Sequence, residues 1–327
     1  MKVLILGGTR FVGRHVASLL LEHGSEVTLL HRGVTGDSIP GTTTVIGDRS
    51  QPDGLAGLGD ARFDAVVDMS AYFSDWTAGA AEALAGRVAH YVFISSGAVY
   101  RPSTEYPWRE STPFGPVPMW GNYGREKVAS EQLLWDAHAA GTFLVTSLRF
   151  PFILGPANFA DRESFAFGRL AAGRPILLPG EGRTLNQYVY ADDVARAIVT
   201  AVERPETAGG QAYNCAHERP ITNRGWVELC ADVLGVEANL VPIDEAALGV
   251  AAETIDLTNI VFPFPSEHVV LDGSKLTREL GVETAVGNRR MIEEYAAWWE
   301  RQAVKPALRS YVRENAALTA LGLPTVS

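Results

Sequence analysis

Cysteine is almost missing from this chain: only Cys215 and Cys230 occur in 327 residues, and they form no CxxC pair. That scarcity excludes a disulfide framework and a cysteine zinc site, and it fits a reducing cytoplasm. Basic residues are also in deficit, with 28 Lys and Arg against 38 Asp and Glu and a formal charge of −10. A fold that works by wrapping nucleic acid needs clustered cations, so this balance argues against one while leaving room for a local basic pocket. The seven histidines show no HxxxH or HExxH spacing, which leaves a metal site without support. Long apolar runs are lacking too. The opening "VLILGG" is too short for a secretory segment and no stretch approaches a membrane span. The expectation is a cytoplasmic, metal-free protein acting on a small-molecule substrate, with neither nucleic acid nor membrane as partner.

What is present is a regular alternation. Short β-rich runs ("KVLILG", "EVTLLH", "TTVIG", "DAVVDMS", "HYVFISS", "FLVTSLRF") are separated by helical patterns ("FVGRHVASLLLEHG", "TAGAAEALAG", "GREKVASEQLLWDAHAAG"). Near-continuous apolar strands between amphipathic helices predict a parallel sheet covered on both faces, a doubly wound α/β core of Rossmann type. From about Pro151 the chain turns richer in Gly and Pro, predicting a smaller C-terminal substrate lobe. The division is residues 1–150 for a dinucleotide-binding core and 151–327 for a mixed α/β lobe with segments returning to the core. The tail after Gln302 offers no readable packing pattern.

The first strand runs into "GGTRFVG", Gly7, Gly8, Thr9, Arg10, Phe11, Val12 and Gly13. Glycines here allow a tight turn and close backbone approach, and the following helix aims its N–H groups at an anion, the geometry that cradles a pyrophosphate. About twenty residues on, where an acid would grip a free ribose 2′-hydroxyl, the sequence reads "LLHRG" with Arg32 in place of Asp or Glu. Arg10 and Arg32 together predict a clamp on a 2′-phosphate, hence NADP, with NAD as the alternative cofactor. Asp48, in "IGDRS", reads either as a contact to the adenine edge or as a plain loop aspartate.

"NYGREKVASEQLL" places Tyr123 and Lys127 four apart on one helix face. An ammonium beside a phenol favours the phenolate, predicting a Tyr123 pKa below its usual value of about 10 and a side chain able to move protons near neutrality. With ten tyrosines and four lysines (Lys2, Lys127, Lys275, Lys305), chance gives only ~0.12 such pairs. The fifth strand ends in Ser95 and Ser96, at the sheet edge where open α/β folds hold ligands, and a hydroxyl there can donate to and accept from a carbonyl or alcohol.

These motifs, in this order, make the chain resemble the extended short-chain dehydrogenase/reductase superfamily, which includes NAD-dependent epimerases and dehydratases. "GGTRFVG" resembles its nucleotide turn, "DAVVDMSA" with Ser70 the segment under the cofactor, "ISSGAVY" the serine strand and "YGREK" the YxxxK pair. "LRFPFILGP" and "QYVYADDVARA" resemble the stretches after the sixth strand and at the entry of the C-terminal lobe. The resemblance implies that Ser96 polarises the reacting oxygen, that Tyr123 transfers the proton, and that Lys127 holds the nicotinamide ribose. It implies that Pro151 lies beside the nicotinamide. The substrate implied is a nucleotide sugar or another polar alcohol or ketone, and homodimers are a family habit. Arg10 departs from the family's usual glycine, and the GGTRF variant is similar to the chloroplast stem-loop-binding proteins.

Three readings follow: an NADP- or NAD-dependent oxidoreductase at a secondary alcohol, an epimerase that retains its cofactor, and a non-enzymatic RNA-binding relative. Candidate substrate contacts, besides Ser96 and Tyr123, are Phe152, Asn158, Arg162 and Tyr188.

Overall fold

A computed structural model of the chain describes residues 1–34, 39–101, 103–115, 118–254 and 258–326. The first half alternates β1 (Lys2–Leu6), α1 (Val12–Glu22), β2 (Glu26–His31), β3 (Thr43–Ile46), β4 (Phe63–Asp68), α2 (Ser74–Leu84), β5 (Val88–Ser96), α3 (Gly121–Ala139) and β6 (Leu144–Phe150). The second half adds β7 (Phe152–Leu154), α4 (Glu163–Ala171), β8 (Ile176–Pro179), β9 (Leu185–Asn186), β10 (Tyr188–Tyr190), α5 (Ala191–Glu203), α6 (Pro205–Ala208) and β11 (Gln211–Asn214). It closes with β12 (Ile221–Thr222), α7 (Asn223–Leu234), β13 (Leu240–Ile243), α8 (Ser274–Leu280), α9 (Asn288–Arg301) and α10 (Val312–Ala320).

Seven strands form one parallel sheet in the order β3-β2-β1-β4-β5-β6-β11. The period-2 alternation of side chains explains why its strands are apolar throughout: Val3 and Ile5 of β1 enter the core on one face, Leu4 and Leu6 the core on the other. Helix α1 buries Val12, Val16, Ala17 and Leu20 on the first face beside α5, while α2 and α3 cover the second. The chain reverses direction across the sheet between β1 and β4. A crevice opens outside the carboxyl ends of these strands, and the Gly7 turn and Ser70 meet at its base.

Pro151 follows β6, and β7 then leaves the sheet to pair with β10. Beyond it lies an aromatic core in which Phe152, Phe165, Phe167, Tyr188, Trp226, Phe264, Tyr295 and Trp299 are buried together. The tail, unreadable from its pattern, carries α10 against α4. Arg169 donates to both Glu314 oxygens at 2.7 and 2.6 Å, with both side chains at 0% exposure.

Candidate active site at the sheet's carboxyl edge

The glycine turn has the backbone that its composition predicts. Gly7 and Gly8 adopt φ of 90° and 84°, and a Cβ at Gly13 would stand 2.2 Å from the Gly8 Cα, so no side chain fits there. Helix α1 begins after Phe11 without a side-chain cap, and Phe11, Val12 and Gly13 line a hollow of about 380 Å³. Gly13 and Arg14 already donate their N–H groups to the Arg10 and Phe11 carbonyls (3.1 and 3.0 Å). It is therefore the turn's backbone ahead of them, at the positive end of the α1 dipole, that suits an anion, and the residues fit a dinucleotide pyrophosphate. Thr9, Arg10, Arg32, Asp48, Ser70 and Pro151 line the same hollow.

Arg10 and Arg32 both line this hollow, each with a contact of its own. The Arg10 guanidinium carbon lies 4.5 Å from the centre of the Phe159 ring. Arg32 instead shares the far end with Asp48, whose carboxylate accepts from the Ser50 hydroxyl (2.7 Å) and amide (3.0 Å). Those bonds, with Arg32's charge, hold the Asp48 carboxyl below its ordinary value. The aromatic face beside the Arg10 guanidinium comes from the other wall of the cleft, since Phe159 stands between β7 and α4.

At the other end Tyr123 stands in the first turn of α3, beside the Ser96 hydroxyl at the end of β5. Lys127 follows one helical turn later, donating to the Ile94 carbonyl at 2.7 Å with its Nζ 5.9 Å from the Tyr123 ring centre. The helix thus brings all three groups to the crevice, but not the expected proton balance. Enclosure by the cleft walls raises the Tyr123 phenol above its ordinary pKa, partly offset by Ser96. Burial pushes the Lys127 ammonium down to about 8. With Lys127 drawn to Ile94 and cushioned on the Phe93 ring (4.9 Å), its charge is not spent on the phenol.

Two buried ion pairs under the site escaped the sequence reading. Arg49 makes a bidentate pair with Asp68 at the end of β4, and also donates to Ser70 Oγ (3.2 Å) and the Trp76 carbonyl (3.0 Å). Tyr91 donates to the same Asp68 at 2.5 Å. One turn beyond Lys127, Glu131 accepts from Ser95, from Ser147 (2.7 Å) and from Arg149 (3.0 and 2.6 Å). Arg149 in turn donates to the Tyr100 hydroxyl at 3.0 Å. The Glu131 network joins β5 and β6 to α3, and the Asp68 network joins β4 and β5 to the loop after β3 and to α2. Ser96, Tyr123 and Lys127 therefore sit on rigid elements.

A second hollow, of about 460 Å³, adjoins the first on the lobe side. Phe11, Tyr72, Ser96, Tyr123, Pro151 and Phe159 are among the residues that line both. Phe152, Asn158 and Arg162 line the second hollow, as does Arg313 of α10, paired with Glu245 at 2.8 Å. The Asn158 amide is spent internally, donating to Glu163 (2.8 Å) and the Ile153 carbonyl (3.3 Å). Tyr188 differs from expectation: at 0% exposure it packs among Phe152, Trp226 and Phe264 and lines neither hollow, because β10 turns it into the lobe's aromatic core.

With this geometry in view, comparison with known proteins is decisive at one level. The profile described as "NAD dependent epimerase/dehydratase family" matches residues 3–85 and 79–216, well over half of the chain. The chain belongs to the NAD dependent epimerase/dehydratase family. As a family member it is an enzyme of the NAD-dependent class. Among curated relatives, the chloroplast stem-loop binding protein of 41 kDa b from Arabidopsis thaliana is 28% identical, over 86% of this chain and 74% of its own length. A UDP-glucose 4-epimerase from Corynebacterium glutamicum is 25% identical over 72% of this chain and 81% of its own. The fold matches the Thermus thermophilus UDP-glucose 4-epimerase in complex with NAD (TM-score 0.76, 23% identity, 93% of this chain and 100% of that one). It also matches the Thermotoga maritima UDP-glucose 4-epimerase with UDP-glucose (TM-score 0.77, 20% identity, 92% and 99%). Among the described residues of this family member, no helix is long and apolar enough to cross a membrane.

Proposed function

We propose that the protein is a nucleotide-sugar epimerase or dehydratase that transiently oxidises a secondary alcohol on a retained dinucleotide, with NAD as the cofactor. The observation that carries this reading is the shared wall: Ser96 and Tyr123 stand where the dinucleotide hollow opens into the lobe's hollow, so one reacting carbon can meet both. The family, and relatives named as UDP-glucose 4-epimerases, favour this over a net oxidoreductase. The family, named for NAD dependence, and the NAD carried by a structural neighbour favour NAD over NADP. The −10 charge gives the RNA-binding alternative no support.

When bound, the nicotinamide supplies a reversible hydride acceptor. The chain's own groups do the rest. Tyr123, which at 41% exposure can first pass its own proton to solvent, then takes the hydroxyl proton of the substrate as its carbon is oxidised and returns it on reduction, and Ser96 holds the reacting oxygen by a hydrogen bond. Lys127 offers its ammonium to the ribose side, where burial keeps water from screening it. Gly7 to Gly13 would hold the pyrophosphate, and Ser70 and Pro151, which line the same hollow, would flank the dinucleotide. Arg162 supports an anionic or polar substrate: it lies over Phe152 (4.6 Å) and Phe264 (5.2 Å) and donates one N–H to the Pro263 carbonyl (2.6 Å). Among the described residues this is the guanidinium's one hydrogen bond, which leaves other donors for a ligand. In this scheme residues 1–150 are the dinucleotide-binding core and 151–327 the substrate lobe, in a cytoplasmic protein whose thiols stay reduced.

The test is Tyr123→Phe, assayed by resolving UDP-glucose and UDP-galactose chromatographically. Turnover is expected to fall at least about 100-fold while NAD affinity holds within about twofold. The wild type should show no net change in nicotinamide absorbance during turnover. Retained activity in the variant would defeat the assignment.

A further inference from the structure

The arginine in the glycine turn has a partner that pyrophosphate binding alone does not call for. Besides Arg10 at 4.5 Å from its centre, the Phe159 ring meets Phe11 edge-on at 6.3 Å and 88°. Phe159 lies between β7 and α4, on the lobe side of the crevice, while Arg10 and Phe11 belong to the turn on the core side. On the wall formed after β4, Tyr72 also feels Arg10's charge. Phe11, Tyr72 and Phe159 line both hollows, so this contact spans the place where they join. Phe159 is 47% exposed, too much for a core residue and consistent with a group at the mouth. The backbone on both sides is in the left-handed region without glycine, with φ of 46° at Phe11 and 61° at Ala157. Such conformations persist where surrounding contacts impose them.

The chemistry suits Arg specifically. A planar, weakly hydrated guanidinium stacks on an aromatic face, whereas an ammonium is compact and strongly hydrated and a glycine reaches nothing. We propose that Arg10 and Phe159 form a clasp across the mouth of the dinucleotide hollow, tying the nucleotide turn to the lobe and slowing exit of the bound dinucleotide. Arg10 is then a cofactor-retaining residue, and the glycine usual at its position is replaced in order to close the cleft. The inference rests on the dinucleotide site of the proposed function, and not on the epimerase cycle.

The experiment measures release with no substrate present. The full chain is loaded with NADH, mixed rapidly with excess NAD, and followed by nicotinamide fluorescence. Arg10→Gly and Phe159→Ala are each expected to speed release about 2- to 30-fold, the range a cation–π contact spans between exposed and desolvated settings. The double variant should be no faster than the faster single, because both remove the same contact. Phe159→Tyr, which keeps the ring, should stay near wild type. Unchanged release in both singles overturns the proposal, as do multiplicative effects in the double. Acceleration by Arg10→Gly alone, with Phe159→Ala silent, also overturns it, since Arg10 would then act on the cofactor directly. If Arg10→Gly does not fold, Phe159→Ala against Phe159→Tyr decides alone. A failed epimerase reading would appear in the Tyr123→Phe assay and leave these rates untouched.

Discussion

Arg149→Met offers a quantitative check on how the catalytic helix is held. Glu131 is fully buried, and Arg149 supplies two of the hydrogen bonds it accepts and its only direct counter-charge among the described residues. Met fills much of the same volume but leaves the carboxylate with Ser95 and Ser147 as its main remaining donors. Removing one partner of a buried ion pair costs about 3–5 kcal/mol, because the other is left charged in a poor solvent. Adding Glu131→Gln should recover a large part of that loss, since an amide keeps hydrogen bonding without a net charge. Urea unfolding of the four proteins of this cycle reads the difference. The pH dependence has a definite sign. In the wild type Arg149's charge, with the hydrogen bonds, holds the Glu131 carboxyl below its ordinary value despite burial. Its contribution is therefore present above the unfolded pKa and lost as pH falls through the folded one. In Arg149→Met, burial without a cation pushes that carboxyl up, so the variant's deficit should shrink as pH is lowered from about 8 to about 5. A loss below about 1 kcal/mol, or a deficit independent of pH, would refute this account of the pair.

Three further outcomes are expected. Gly13→Ala should abolish measurable NAD binding in a fluorescence titration, because its Cβ would stand 2.2 Å from the Gly8 backbone; near-wild-type affinity would mean that the turn can open. Lys127→Met should raise stability at neutral pH by up to about 3 kcal/mol, from a pKa displaced from 10.5 to about 8. That gain should fade as pH rises from about 8 toward 10.5, where the unfolded chain also loses the proton; thermal melts across this range test it. Arg169→Met should cost about 3–5 kcal/mol in the same urea assay and loosen the lobe, seen as faster amide exchange in α10.

The sequence exposed those parts of the site whose spacing is local. Tyr123 and Lys127 are legible because helical period alone puts them on one face, and Gly7 and Gly13 because a strand-to-helix turn constrains backbone directly. Arg49 and Asp68 are not, since they are 19 residues apart, meet only through sheet order, and read as ordinary loop and strand-end charges. Glu131 looked like one more polar position on α3 until Ser95, Ser147 and Arg149 came together from neighbouring strands. Arg10 was visible, but its partner was not. Charge alone pointed it, with Arg32, at a ribose phosphate, whereas the aromatic face beside its guanidinium is supplied by the loop between β7 and α4, far along the chain. The second hollow was least legible because much of its lining comes from irregular chain, including Phe262, Phe264 and Glu245, where no period exists to follow. Tyr188 failed for the opposite reason, as a strand residue whose face only tertiary packing selects.

The two hollows are also completed at different moments of synthesis. Residues lining the dinucleotide hollow end at Phe159, whereas the second hollow still needs Ile260 to Pro265, Val269 and, on its rim, Arg313. Synthesis therefore delivers every residue lining the nucleotide cradle first, then the α5 cover behind α1, and last the wall of the substrate compartment.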